Sequence, residues 1–446
     1  MANRATNNNL HIAIVGGGLA GLAAATALQS SGCRVEIFES RQALGGRAGS
    51  FRDLQTGRVI DRCQHVGMGC CTSLANFCGR VGIDDSFVRH KTYHFFAPGD
   101  NPRRYDFSAS GWLPAPLHLG PATMRLGYLG LGERFKILAA MGRLMKASVK
   151  DEPVKDEPVE QWLRRNGQSD QAIERFWSIV LESALSEKLG HASIAAARKV
   201  FVNGFMKSRH GYELLLPDAT LAELFDRRTG DYLQHNGAEI HRGARVVRID
   251  GNSSAAKSLT LLNGQEHNFD ALVVAVPWYA VRRLFTPSLQ AALPQLNRAE
   301  EIPAAPITAL HLWHDRSITD LAHAVFIGRL GQWIFNHGDG YSQVVVSASH
   351  DLADRNREEI CREIVAEVEE VFPAAHEARL MHWRLVTEPR AVFSLRPGVD
   401  ELRPAQRTLV RNLALAGDWT DTGWPATMEG AVRSGYAAAE AIMESA

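Results

Sequence analysis

A short apolar run, His11-Ile12-Ala13-Ile14-Val15, passes directly into Gly16-Gly17-Gly18-Leu19-Ala20-Gly21 and then into the alanine-rich Leu22-Ala23-Ala24-Ala25. This order predicts a buried strand, a tight turn and a helix. Gly16 permits the turn, Gly18 lets a pyrophosphate approach the backbone, and Gly21 lets helix and strand pack closely. The amides at the helix start, around Leu19 and Ala20, favour an anion. A second apolar run, Arg34-Val35-Glu36-Ile37-Phe38, ends at Glu39, about 18 residues beyond Gly21, where a ribose-binding carboxylate belongs. An acidic residue there selects a free 2′-hydroxyl over a 2′-phosphate, with Ser40 and Arg41 adjoining it.

That unit alone admits NAD or FAD as ligand, and a ligand-free glycine turn is the bland alternative. Two further segments decide for FAD. Leu44-Gly45-Gly46-Arg47 adds a second flexible loop and a guanidinium able to pair bidentately with phosphate oxygens. Near the other end of the chain, Leu413-Ala414-Leu415-Ala416-Gly417-Asp418 leads into Pro425-Ala426-Thr427-Met428-Glu429-Gly430-Ala431, a buried strand followed by a helix start. Both ends are therefore expected to hold one molecule.

Lys plus Arg equals Asp plus Glu at 49 each, and no basic run resembles a nucleic-acid arm, which excludes nucleic acid as a partner class. The polar Met1–Asn9 leaves no space for a signal core before the first strand, so a cytoplasmic location is expected. No apolar stretch reaches the ~18 residues of a spanning helix. Cys33, Cys63, Cys70, Cys71, Cys78 and Cys361 lack zinc-site spacing, so no metal is expected; most read as small core residues. Cys70 and Cys71 are candidates for lining a cavity.

Further along, Val59-Ile60-Asp61 reads as a strand, followed by a glycine-rich turn and a helix near Thr72 to Val81. From Lys91 the glycines thin out and aromatic and proline residues rise. Helical periodicity covers Arg134 to Val149 and Gln171 to Leu189, and Asp151-Glu152-Pro153-Val154 recurs as Asp156-Glu157-Pro158-Val159, a loop and helix start. Ala244 to Ile249 and Phe269 to Val276 read as strands returning to the nucleotide domain. Ile307 to Trp313, Gln332 to Asn336, Gln343 to Ser349 and His382 to Thr387 alternate as in an antiparallel sheet, with an amphipathic helix around Glu358 to Phe372 packed on it. A closing helix is expected over Met428 to Met443.

The fold class is thus α/β (α+β overall): a discontinuous Rossmann-like FAD-binding domain from 1–90, 235–285 and 405–446, and a substrate domain of antiparallel sheet plus helices from 91–234 and 286–404. Within the latter, 112–150 forms a candidate lid or membrane-facing segment. Phe135, Leu138, Met141, Met145 and Val149 fall at helical spacing there, with Arg134, Lys136, Arg143, Lys146 and Lys150 around them. That pattern suits either a packed lid helix or peripheral contact with the inner face of a membrane.

Over essentially its whole length the chain resembles the FAD-dependent amine oxidase and phytoene desaturase superfamily. Asp61-Arg62-Cys63-Gln64-His65, Arg175-Phe176-Trp177, Ser183-Ala184-Leu185, and Ala416-Gly417-Asp418-Trp419 with Gly423-Trp424-Pro425 narrow the resemblance to the squalene-associated branch, the hydroxysqualene dehydroxylases. Arg62-Cys63 departs from that branch, which carries a small Asn-Gly step there. The resemblance implies FAD contacts from Gly16, Gly18 and Gly21 to the pyrophosphate, Glu39 to the ribose, Gly46 and Arg47 on the phosphate or flavin side, and Val246 to adenine. It further implies Gly417 and Asp418 at the ribityl chain, with Met428, Glu429 and Ala431 starting a helix that faces flavin N1, where reduced flavin carries negative charge.

The implied reaction removes the allylic hydroxyl of hydroxysqualene to give squalene, by hydride delivery from reduced flavin and protonation of the leaving hydroxyl. His65 is the first proton-donor candidate because an imidazole is readily protonated near neutrality, and Asp61 is the second. Gln64, Cys70, Trp177 and Trp424 are candidates for lining the substrate cavity, although aromatic residues at such positions are more often plain core. The partners implied are a hydrophobic isoprenoid or triterpene substrate and an unidentified electron donor. An isoprenoid desaturase would run the redox direction backwards. A flavin amine oxidase is less favoured, because that branch places a tyrosine where this chain has Thr427. A non-catalytic prenyl-lipid-binding flavoprotein shares the fold.

Overall fold

The computed structural model describes residues 10–99, 102–146 and 156–445. The Met1–Asn9 tail, Val149, Lys150 and the first copy of the Asp-Glu-Pro-Val repeat lie outside the described residues. A five-stranded parallel sheet runs Glu239–Arg242, Arg34–Glu39, His11–Val15, Ala271–Val274 and Leu413–Leu415 in spatial order. Val15 lies between Phe38 on one side and Val274 on the other. Ile12 to Val15, Ala271 to Val274 and Leu413 to Leu415 are buried throughout, which is why they read as continuous apolar runs: a parallel sheet is covered on both faces.

Helices Leu19–Ser30 and Met428–Ser445 pack against each other beside this sheet. Their contact depends on Gly435, where an added Cβ would sit 2.2 Å from the Ala20 carbonyl oxygen. The segment Ala244 to Ile249 stands outside the parallel sheet. Val246–Gly251 pairs with Ala256–Leu261, which pairs with Glu266–Asn268, in a separate antiparallel meander. The reason is its two-faced character: Val246 and Ile249 are buried while Val247 and Arg248 are exposed, a pattern a doubly covered sheet cannot accept.

The second layer is a seven-stranded sheet in the order Leu380–Phe393, Ala304–His314, Tyr341–Ser347, Trp333–Asn336, His323–Phe326, Tyr93–Phe96 and Arg104–Phe107. Its pairs are antiparallel except for Val325 beside Phe95, so the sheet is mixed. Helix Arg357–Val371 packs on it through Ile360, Cys361, Ile364 and Val368. Asn356 caps this helix, accepting from the amides of Glu358 at 2.9 Å and Glu359 at 3.2 Å.

Helices Leu131–Lys146 and Ser178–Leu185 fill the side of this sheet, the latter entered through a π-helical stretch, Ile173–Trp177. In Leu131–Lys146 the buried face is Ile137, Ala140, Met141 and Leu144, while Phe135 is 62% exposed. Of the expected stripe, Met141 is buried and Leu138 and Met145 pack against the core, while Phe135, at the start of the helix, stays in solvent. No helix among the described residues is long and apolar enough to cross a membrane.

Candidate active site

The turn after the first strand brings three glycines into different surroundings. At Gly16 (φ +108°) a Cβ would lie 2.5 Å from the Ala275 oxygen, and at Gly21 one would lie 1.9 Å from the Gly16 oxygen. Both glycines are demanded by the protein itself. At Gly18 the nearest atom is the Gly46 Cα at 3.9 Å, so the space in front of its backbone is open. Gly45 locks the second glycine loop onto the first, its amide donating to the Gly17 carbonyl at 2.8 Å.

Glu39 is buried with one carboxylate oxygen accepting the Gly17 amide at 2.8 Å and the other accepting the Arg41 amide at 2.8 Å and the Ser40 hydroxyl at 3.2 Å. The Ala244 amide donates to the Glu39 carbonyl at 2.8 Å, which lays the chain leading to Val246 alongside it. Leu19 and Ala20 are buried at the helix start behind the glycines.

The two chain ends meet at an ion pair between Arg47 and Asp418. Arg47 also donates to the Ala391 carbonyl at 3.0 Å, and Asp418 is only 3% exposed. Gly417, at φ +139°, turns the chain there, and its amide donates to the Ser434 hydroxyl at 2.8 Å. Arg403, which no sequence pattern marked, is buried behind this turn and donates to the carbonyls of Asp418 at 3.1 Å, Thr420 at 2.7 Å and Trp424 at 2.9 Å.

Helix Met428–Ser445 follows. The Thr427 hydroxyl accepts the Gly430 amide at 3.1 Å and the Thr427 carbonyl accepts that of Ala431 at 3.0 Å, so Ala431 is engaged within the helix turn. Met428 and Glu429 precede any intrahelical acceptor, and their amides are the ones free by geometry to face a ligand. The Glu429 carboxylate points elsewhere: it accepts the amides of Ser73 at 3.2 Å and Leu74 at 2.7 Å and pairs with Arg433 at 2.6 Å. It thereby caps helix Thr72–Val81, whose sequence offers no side-chain cap of its own. Trp424 lies under the Arg433 guanidinium, 4.4 Å from its ring centre.

Between these pieces runs the segment 59–71. Asp61 is held by the Ser50 hydroxyl at 2.6 Å and the Leu221 amide at 2.9 Å, and burial pushes its carboxyl up to about 6. Burial likewise drives Cys63 up to about 12. The His65 Nδ1 donates to the Cys63 carbonyl at 3.0 Å. Burial, and then the nearby Arg47 charge, lower the His65 pKa despite that hydrogen bond. That direction favours the neutral ring over the protonated one and so weighs against His65 as a proton donor; with Nδ1 donating, Nε2 is left as its acceptor. The Gln64 amide nitrogen donates to the His65 carbonyl at 3.1 Å, and its buried Oε1 has no partner among the described residues. The Cys71 thiol donates to Cys70, lowering the Cys70 pKa and raising its own.

Apolar walls face this segment. Leu216, Phe335 and Val345 form a cluster against which Cys63, Val66, Ile307 and Trp333 pack. Trp333 donates to the Ser183 hydroxyl at 2.8 Å and meets Tyr93 with ring centres 6.0 Å apart. Both lie on aromatic-bearing strands, Tyr93–Phe96 and Trp333–Asn336, whose sequence gives the strand but not which ring faces this segment. Trp177 does not line a cavity: it is fully buried, bonds Gln168 at 2.8 Å and packs against Phe176 and Phe201. Those ring contacts make it a packing residue.

The donor set fits FAD. The space before Gly18 is open, the Gln64 oxygen is buried without a partner among the described residues, Glu39 is held against the Gly17 amide, and the Arg47–Asp418 pair joins the two chain ends.

The described fold is that of known flavoenzymes. It matches cyclohexylamine oxidase from Brevibacterium oxydans IH-35A with a TM-score of 0.71 at 19% identity, covering 98% of this chain and 99% of that one. By sequence the chain is 26% identical to the 15-cis-phytoene desaturase of Glycine max over 464 residues, covering 98% of this chain and 80% of the relative. It is 27% identical to the hydroxysqualene dehydroxylase of Zymomonas mobilis over 430 residues, covering 96% of this chain and 97% of the relative. The family of flavin containing amine oxidoreductases matches residues 19–443. The chain belongs to that family and is an FAD-dependent oxidoreductase.

Proposed function

We propose that the substrate is a linear isoprenoid hydrocarbon and that the reaction is a desaturation of the phytoene type. The observation that carries this reading is the apolar wall of Leu216, Ile307, Trp333, Phe335 and Val345 against Cys63 and Val66, on the segment that carries His65, in a chain whose relatives include 15-cis-phytoene desaturases. Bound FAD supplies a two-electron hydride acceptor. Desaturation removes two hydrogens from neighbouring carbons, one as hydride and the other as a proton, and the proton needs an acceptor. The neutral His65, with Nδ1 committed to the Cys63 carbonyl, presents Nε2 for that purpose. The apolar wall positions the chain of the substrate and keeps water from the reacting carbons.

A second reading, reductive removal of the hydroxyl of hydroxysqualene, is favoured by Asp61. A carboxyl held up to about 6 can deliver a proton to a leaving hydroxyl. The dehydroxylase of Zymomonas mobilis, which this chain covers over 97% of its length, supports the same reading. Anaerobic incubation separates the two. Oxidised holoenzyme converting phytoene to a more conjugated product supports desaturation. Squalene formed from hydroxysqualene by chemically reduced holoenzyme supports dehydroxylation. Tight lipid binding with neither product overturns both.

A further inference from the structure

Strands Glu239–Arg242, Arg34–Glu39 and His11–Val15 lie side by side, with Glu36 opposite both Ala13 and Glu239. His11 and His241 stand two residues from those partners, so His11, Glu36, Glu239 and His241 share one face of the parallel sheet. The meander strand Glu266–Asn268 brings His267 over the same face, its ring 5.6 Å from that of His241 and edge-on to Phe38 at 4.8 Å.

Glu36 is the centre of this group and is 5% exposed. One of its oxygens lies 3.0 Å from His11 Nε2, the other 2.8 Å from His241 Nε2 and 3.5 Å from His267 Nδ1. The ligating atoms of Glu36, Glu239 and His241 all fall within 4.8 Å of one another. His267 Nε2 is buried with no partner among the described residues. Three imidazoles and two carboxylates around one buried oxygen pair exceed what a structural ion pair requires, and nothing in the flavin site uses them.

We propose that this face holds one divalent transition-metal ion of the zinc class, ligated by Glu36, Glu239 and His241. Bonds of about 2.0–2.2 Å at tetrahedral angles set neighbouring ligand atoms about 3.3–3.5 Å apart, so the observed separations need only small side-chain adjustments to close on an ion. Imidazole nitrogen with carboxylate selects a zinc-like ion over magnesium or calcium, which prefer all-oxygen shells. Glu239 is paired with Arg34 at 2.7 Å, but both side chains are about half exposed, at 48% and 57%. Such a pair is weakly held, and Glu239 is free to turn to the cation. The ion would tie three adjacent strands of the nucleotide sheet together.

The test uses tag-free holoenzyme, treated with chelator and then dialysed to equilibrium against zinc chloride, with bound zinc counted by mass spectrometry. One zinc per chain and a raised melting temperature are expected. His241→Ala and Glu36→Gln should each weaken zinc binding roughly tenfold or more while the flavin absorbance is kept. Should Glu36→Gln fail to fold, Glu239→Gln, on a half-exposed side chain, takes its place. No stoichiometric zinc in the wild type, or wild-type zinc affinity in His241→Ala, overturns the site.

Discussion

Asp61 and His65 stand close in sequence and carry opposite consequences of burial. The Asp61 carboxyl is raised to about 6 from 3.8, so the folded chain binds its proton more tightly than the unfolded chain does. Its contribution to stability is complete below pH about 4 and is lost as pH rises through about 6. Asp61→Asn, which cannot ionise, should therefore gain on the wild type between about pH 5 and about pH 7, by about 1.3 kcal/mol. Urea unfolding of both proteins at the two pH values measures it; a constant difference would refute the assigned shift. For His65 the lowered pKa leaves a neutral ring, and His65→Ala should reduce kcat roughly 100-fold with the flavin spectrum retained. Undiminished single-turnover rates would remove it from the reaction. The sequence placed these two residues beside the flavin segment but not their protonation, because charge state is decided by the segments that cover them. For Asp61 these are the strand Ser50–Arg52 and the helix start at Leu221.

At the scale of elements, the first strand, turn and helix were legible because each glycine answers a local backbone requirement. Helix Arg357–Val371 was legible because its burial follows a 3.6-residue period. Val246–Gly251 was not: an apolar dipeptide cannot tell a doubly covered strand from a meander edge until the neighbouring strands are known. The Glu429 side chain was similarly opaque, since its partners Ser73 and Leu74 belong to a helix over 350 residues away in sequence. The glycine turn itself makes a sharp prediction. Gly18→Ala meets nothing closer than 3.9 Å in the protein, so its apoprotein should melt like the wild type while FAD binding is lost. Gly21→Ala would place its Cβ 1.9 Å from a carbonyl oxygen and should cost about 3 kcal/mol or more whether FAD is present or not. Thermal melts with and without FAD distinguish the two. Equal behaviour of the variants would mean that the space before Gly18 is not the pyrophosphate cradle.

On the scale of the whole molecule, the cofactor site exists only where the chain closes on itself. His11–Val15 and Leu413–Leu415 flank Ala271–Val274, and the turn after each supplies half of the site. Without cofactor the halves are joined by the packing of Leu19–Ser30 on Met428–Ser445 and by the Arg47–Asp418 pair. Bound FAD therefore acts as a second link between the ends, and its binding free energy adds to global stability by mass action, about 2.7 kcal/mol when FAD is at 100 times its Kd. The wild-type melting temperature should climb with the logarithm of FAD concentration. Asp418→Ala frees Arg47 from its partner and removes a charge-assisted contact, and should shift that dependence to roughly 10- to 100-fold higher FAD. Arg403, which holds the Asp418, Thr420 and Trp424 carbonyls, acts one step further back. Arg403→Leu should lower the melting temperature of the apoprotein as well as weaken FAD, because the turn it holds exists before the cofactor arrives. A variant Asp418→Ala whose apoprotein alone is destabilised, with an unshifted FAD dependence, would assign Asp418 to the scaffold and leave the cofactor held by the Gly16–Gly21 turn and the Met428 helix start.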